Sequence, residues 1–414
     1  MISLFLEKLN KHKKFKYYFC TPWIYAIGTC SEQIDIAHRI ATKNNKKLII
    51  IKLNIFQKFL KYNVCNHSLF NDLYLNTEKS IIYTLLKNIF SFIINIEFFF
   101  IRLLVLINDK TIKRKLPEHV RFLQLGVKNV FYNNRGFFDL NYYDISPYPP
   151  KTNINIIKTV RNKLLIDFNK IYNIENKKIV CIHVRDSHYK NDQGRREHRN
   201  SKIENYISSI KLLIDKGYTV IRLGGLKQNI TNFTDDNYLE LNDEHNLKFT
   251  LFLIEKCDFY IGTPSGPLDT AFMLNKPTLL TNQFSIVGYP KNYNGRIIYR
   301  NIELNGKKLL LNEFLNLPFF YHDLLYTDNN NLKYIENTSE EIYLGVKEFL
   351  LNYENNDFTK TEKQKKINLI LKENMENYFK DKSSSNTLLS HQSSISFVKW
   401  NKSQEGSICN FQIT

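Results

Sequence analysis

KIVCIHVRDSHYKNDQGRREHRNSKIENYISSIKLLIDKGYTVIRLGG, residues 178–225, is the stretch from which the rest of the chain is read. Two short apolar runs, 179–184 and Tyr218–Leu223, enclose a polar segment dense in Arg and His. After that segment Ile203, Tyr206, Ile207, Ile210, Leu213 and Ile214 recur at helical spacing. Asn200 and Ser201 are candidate N-caps and Gly217 a stop signal. The spacing predicts strand, loop, helix, strand, which is the unit of a right-handed parallel crossover. Ligands of such sheets sit at the carboxyl ends of the strands. His183, Arg185 and Asp186 fall there after the first strand, and Gly224 and Gly225 after the second.

Further along, residues 247–255 read as a helix, 257–262 as a strand, 263–267 as a loop, 268–274 as a short helix and 277–280 as a strand. This is another turn of the same sheet. The loop carries Thr263, Ser265 and Gly266. Backbone N–H groups at the helix start and the two hydroxyls make an anion-binding concavity there. An ordinary N-cap beside a turn glycine is the plainer alternative. No Gly-Lys-Ser/Thr follows, so this is not a Walker loop. Asp269 suits a capping or solvated role in a first turn.

Arg185 is the leading candidate, because a guanidinium at a strand end can fork onto a diphosphate. A surface bridge to Asp186 or Glu197 is the competing role. His183 shares the face of Arg185, and could bond a phosphate, orient Arg185, or be a satisfied, partly buried histidine. Arg195, Arg196, His198 and Arg199 could close over a nucleotide or form a solvated charged face. Gly224 suits either close ligand approach or a turn needing positive φ. His183, Asp186, His188, Asp192 and His198 could also form a hydrolase metal centre. An arginine inside that set, and spacing that fits no known motif, argue against it.

HVRD, the RNSKIENY helix, TVIRLGG and CDFYIGTPSGPLDTAF together resemble a family of bacterial glycosyltransferases, itself similar to the GT-B fucosyltransferase and protein O-fucosyltransferase superfamily. The likeness covers roughly residues 175–285. It implies that the His-x-Arg of His183 and Arg185 ends the first strand of a donor domain, and that Thr263, Ser265 and Gly266 complete a phosphate cradle. Arg199 matches the Arg-Asn before the family's helix. The resemblance also implies an inverting transfer that uses arginine and loop amides rather than a metal. In the fucosyltransferases a second basic residue and an Asp usually follow the motif's Arg. Here Asp186, Ser187 and His188 follow, which opens the donor's identity.

In the N-terminal part, residues 16–55 form a second strand–loop–helix–strand candidate. Its parts are an apolar Tyr17–Cys20, loop residues 26–29 with Gly28, a helix over 34–41 and a strand over 48–53. Residues 81–107 are the most apolar stretch. Lys87, Asn88, Asn95, Glu97 and Arg102 interrupt it, so a membrane span is rejected. A buried or domain-interface helix is favoured over one resting on a membrane. The cluster Lys110, Lys113, Arg114 and Lys115 keeps the membrane option open. The prolines of residues 144–152 mark a linker, followed by a helix over 153–174. Residues 341–352 and 362–379 read as helices, followed by a loose Ser-rich segment.

At 414 residues the chain exceeds one typical core. Its 24% charged and 43% hydrophobic content suits a globular protein. The net charge of +18 could serve nucleic acid, an anionic membrane or a phosphorylated ligand, or reflect AT-rich coding sequence. No nucleic-acid recognition motif is found. Six cysteines without a C-x-x-C pair fit a reducing compartment better than a zinc or disulfide framework. The first residues make a poor signal peptide.

The expectation is an α/β, GT-B-like chain of two facing Rossmann-like domains with parallel sheets and a C-terminal helical extension. Residues 1–150 form the acceptor-side domain, 151–345 the nucleotide-sugar domain and 346–414 the extension. The expected function is transfer of a sugar from a nucleotide-diphospho-sugar, a GDP-sugar such as GDP-fucose, to a hydroxyl of a cell-surface glycan or lipid-linked acceptor. Arg185 and Asp186 are the catalytic candidates; His183, Arg199, Gly224, Thr263, Ser265 and Gly266 are the donor-binding candidates. No metal or other cofactor is expected, and the location expected is the cytoplasm or the inner membrane face. The alternatives are a non-catalytic binder of nucleotide or anionic glycan, and a metal-dependent phosphohydrolase.

Overall fold

The computed structural model describes residues 2–22, 26–52, 65–75, 80–107, 111, 153–186, 197–224, 233–284, 295–310, 313–314, 331–367 and 369–370. The chain divides into two compact units, Met1–Val160 and Arg161–Thr414.

The N-terminal unit opens with helix α1 (Ile2–Lys11), strand β1 (Tyr17–Cys20), helix α2 (Ile27–Lys43) and strand β2 (Lys47–Ile50). β1 and β2 pair in parallel, as the alternation of apolar run and amphipathic helix predicts. Gly28 is not in a loop: α2 begins at Ile27, so this glycine sits in its buried first turn. A short helix α3 (Ser68–Asn71), strand β3 (Leu73–Tyr74), the long helix α4 (Ile81–Ile107) and strand β4 (Asn155–Ile156) complete the unit. β3 and β4 are antiparallel. α4 is not buried throughout: Tyr83, Ile94 and Asn95 are buried, while Ile82, Leu85, Phe92, Phe100 and Leu104 are exposed. The basic cluster after α4 and the proline-rich linker lie outside the described residues.

Helix α5 (Lys158–Tyr172) leads to the C-terminal unit's sheet. The sheet's first half comprises strand β5 (Lys178–His183), helix α6 (Ile207–Asp215), strand β6 (Tyr218–Leu223) and strand β7 (Tyr238–Glu240). The second half comprises helix α7 (Asp243–Lys256), strand β8 (Phe259–Gly262), helix α8 (Gly266–Met273), strand β9 (Thr278–Gln283) and strand β10 (Gly295–Tyr299). A three-stranded sheet of β11 (Asn301–Leu304), β12 (Lys307–Lys308) and β13 (Leu332–Ile335) follows, and then helix α9 (Ser339–Glu354).

The six strands run β10-β9-β8-β5-β6-β7, all parallel. The chain thus winds outward from β5 on one side and from β8 on the other, the doubly wound Rossmann order with its reversal between these two strands. β6, β8, β9 and β10 are buried along their whole length, as strands covered on both faces must be. Val180 and Ile182 join Ile210 and Leu213 of α6 and Val346 and Phe349 of α9 in one core. Cys181, on the alternate face, donates through Sγ to Leu253 O of α7 at 3.5 Å. On that face Phe168 of α5 meets Phe249 edge-on at 4.9 Å.

Asn200 and Ser201 do not cap the crossover helix. A 3₁₀ turn, Ile203–Tyr206, precedes α6, and both candidate caps are engaged elsewhere, as described below. Gly217 does end the helix, at φ +81°. α7 starts four residues earlier than expected because Asn242 caps it, accepting from His245 N at 2.7 Å. α9 carries a full capping box between Thr338 and Glu341.

Candidate active site at the strand ends of the C-terminal unit

β5 and β8 end side by side, with His183 in register with Gly262. The ladder runs one step past the strands: Thr263 N donates to His183 O at 3.1 Å, and Arg185 N donates to Thr263 Oγ1 at 3.0 Å. Two of the residues picked out from the sequence, Arg185 and Thr263, are therefore joined backbone to side chain at the sheet's reversal. Ser265 follows as N-cap residue of α8, but its hydroxyl makes no capping bond. It donates instead to Thr263 O at 2.9 Å and lies 2.9 Å from His183 Nδ1. A hydroxyl has one proton, so His183 must supply the proton of the second bond from Nδ1, which leaves Nε2 as an acceptor. Burial, reinforced by repulsion from Arg222 and Arg185, pushes the His183 pKa down to about 4 and keeps the ring neutral.

Gly224 takes the positive-φ turn that the sequence offered as one of its two roles. Its φ is +106°, and a Cβ there would stand 3.0 Å from both Cδ2 and Nε2 of His183. Gly262 is tighter: a Cβ would lie 2.7 Å from Tyr260 Cε1 and 3.0 Å from His183 O. Bare backbone at both positions lets the imidazole and the Tyr260 ring pack against the strand ends.

Arg185 is buried and its guanidinium donates to Asn200 Oδ1. Ser201 N donates to Arg185 O at 2.9 Å, so the chain on either side of 187–196 is drawn together. Arg300, at the end of β10, holds this junction from behind. It donates to Ser201 Oγ at 3.0 Å, Asn282 O at 3.3 Å and Tyr334 O at 3.3 Å. Arg199 donates Nε and Nη2 to Pro264 O, at 3.3 and 2.9 Å, and so clasps the loop that carries Thr263 and Ser265. Gly266 opens α8, and Asp269 lies in its first turn. Asp186 is buried just beyond Arg185.

Of the alternative metal set, His198 packs edge-on to Phe284 at 4.6 Å and beside Tyr334, away from any cluster of ligands. Among the described residues no three His, Cys, Asp or Glu gather as a metal site would require. His188, Asp192, Arg195 and Arg196 lie outside the described residues. Cys20, Cys30, Cys65, Cys181 and Cys257 form no disulfide with one another.

Three contributors escaped the sequence reading. Asn246 in α7 brackets Gly224, accepting from its N–H at 3.0 Å and donating to its carbonyl. Arg222, paired with Glu240 at 2.7 Å, adds to the field on His183. Arg300 supports Asn200 and Ser201. These contacts join residues far apart in the chain, and no local pattern signals them.

No protein-family model and no curated protein matches the chain by sequence. Solved structures with a similar layout include the E. coli ADP-heptose lps heptosyltransferase II, at 13% identity and TM-score 0.44, covering 82% of this chain and 99% of that one. A glycosyl transferase family 9 protein from Veillonella parvula has 11% identity and TM-score 0.34, over 49% and 54% of the two chains. E. coli heptosyltransferase WaaC with ADP has 12% identity and TM-score 0.26, over 85% and 77%. At such scores these likenesses carry no chemistry over to this chain.

Proposed function

We propose that this chain is a glycosyltransferase that takes its sugar from a nucleotide-diphospho-sugar bound at the carboxyl ends of β5, β6 and β8. One observation carries the reading: Arg185, Thr263, Ser265 and the start of α8 converge at the reversal point of a parallel sheet, where such folds receive phosphorylated ligands. Arg185 supplies the cation that stabilises the leaving diphosphate, and the Gly266 N–H and the positive end of α8 receive its oxygens. His183, neutral and with Nε2 as an acceptor, repels an anion from that atom. Its role is to fix the Ser265 hydroxyl, and through it the loop.

Arg199 and Asn246 act as positioning residues, one for the 263–265 loop and one for Gly224. Asp186 is the candidate base for the acceptor hydroxyl. The finer reading is a GDP-sugar such as GDP-fucose, transferred with inversion and without a metal to a cell-surface glycan or lipid-linked acceptor on the N-terminal unit. The reaction would take place in the cytoplasm or at the inner membrane face. It rests on the sequence resemblance alone.

The test is calorimetric and thermal-shift titration of the full chain with GDP, UDP, CMP, ADP and GDP-fucose in the presence of EDTA. Ligand at 100 times its Kd should stabilise the protein by about 2.7 kcal/mol. One nucleotide should do so, and Arg185→Ala should abolish the response. Silence toward every nucleotide from folded protein overturns the proposal. Binding without sugar transfer to any acceptor would leave a nucleotide-binding protein in its place.

A further inference from the structure

α4 spans 27 residues, and among its described side chains Tyr83, Ile94 and Asn95 are buried. Ile82, Leu85, Ile89, Phe92, Phe100 and Leu104 are all exposed, Phe92 at 60% and Leu104 at 65%. At 100° per residue they fall within an arc of roughly 120°, while Tyr83, Ile94 and Asn95 fall on the opposite side. A solvent-exposed apolar stripe several turns long is costly to leave in water and marks an interaction surface. No helix among the described residues is long and apolar enough to cross a membrane.

α1 lies along the flank of this stripe. Phe5, 52% exposed, stacks on Phe90 with ring centroids 6.5 Å apart. Lys8 shares the helical face of Phe5. Lys8, Lys11, Lys13, Lys14 and Lys16 are all exposed, and Glu7 is the one acid among the first 20 residues. Lys8 of α1 thus stands on the face that meets α4, and Lys11, Lys13, Lys14 and Lys16 follow it closely in the chain.

We propose that this face of the N-terminal unit docks on an anionic lipid surface, with the α4 stripe and Phe5 entering the headgroup–acyl boundary and the lysines meeting the lipid phosphates. Apolar insertion and lysine attraction are the two forces that hold interfacial helices, and this face supplies both. A second copy of the chain fits less well, because self-pairing would bring together two copies of this lysine-rich segment, which holds Glu7 as its one acid.

The full chain is sedimented with vesicles of phosphatidylcholine alone and with phosphatidylglycerol added. Binding is expected to the anionic vesicles only, and to weaken as salt is raised. Phe92→Glu and Leu85→Glu, each at an exposed site and each checked by its melting curve, should lower the partition coefficient roughly tenfold or more. Replacing Lys11, Lys13 and Lys14 together by Gln should lower it several-fold. The proposal is overturned if wild-type protein ignores anionic vesicles, or if both apolar variants bind as wild type does. It is also overturned if light scattering shows a dimer that Phe92→Glu dissolves. Nucleotide titration is read on the same samples, so failure here is separable from failure of the donor site.

Discussion

Acidification from pH 7 to pH 5 should cost the C-terminal unit about 2 kcal/mol through His183 alone. Its folded pKa lies near 4, against 6.5 for an ordinary histidine. Between those values the unfolded chain binds a proton that the folded chain refuses. Stability from this residue is therefore complete above about pH 6.5 and falls as the pH drops toward 4. Integrating the proton difference gives about 2 kcal/mol at pH 5, approaching about 3 kcal/mol at still lower pH. Part of the residue reaches solvent, so these are upper values. The physical origin is burial beside Arg222 and Arg185, with Ser265 holding Nδ1. The assay is urea unfolding of wild type and His183→Gln at both pH values, followed by circular dichroism. The loss on acidification should be larger for wild type by the stated amount, since carboxylates and other histidines, such as the buried His38, contribute equally to both proteins. A difference below about 0.5 kcal/mol, or a His183 proton resonance that titrates near pH 6.5, would refute the reasoning.

Gly262→Ala should destabilise the protein by about 1–3 kcal/mol, because its Cβ drives into Tyr260 and the His183 backbone, and should also abolish nucleotide binding. Gly217→Ala, with open space around it but φ +81°, should cost about 1 kcal/mol in denaturant melts and leave binding intact. Asn337→Leu breaks a buried clasp in which Asn282 and Asn337 each accept the other's N–H at 2.7 Å. A loss of about 2–4 kcal/mol is expected, visible as faster hydrogen exchange at Asn282. Thr338→Ala removes the α9 capping box and should cost about 1 kcal/mol, with Thr338→Ser restoring most of it.

Much of the C-terminal sheet was legible because its signals are local. The span predicted for β6 matches the structure to the residue. The strand–helix–strand order over residues 178–223 follows from apolar periodicities that any short window contains. Reading failed where a residue's partner lies far along the chain. Asn200 and Ser201 look like caps, yet Arg185 and Arg300 claim them. Ser265 sits where a cap belongs, but its hydroxyl is held by Thr263 and His183. Gly28 looked like a loop residue because nothing nearby says that α2 begins at Ile27. For α4, composition was enough to predict a helix but not which side would be covered, since its apolar residues encircle it.

Sequence alone, then, determined the order β5, α6, β6 and α7, β8, α8, β9, and that Arg185, Thr263 and Ser265 fall at strand ends. Those follow from side-chain period and turn chemistry within a few residues. Only the tertiary structure decided that β5 and β8 lie adjacent, that Arg199 clasps Pro264 and that Asn246 brackets Gly224. It also decided that Ile82, Leu85, Phe92, Phe100 and Leu104 of α4 are exposed. Each of these depends on surfaces buried between segments tens of residues apart, whose pairing is settled by the packing of the whole unit.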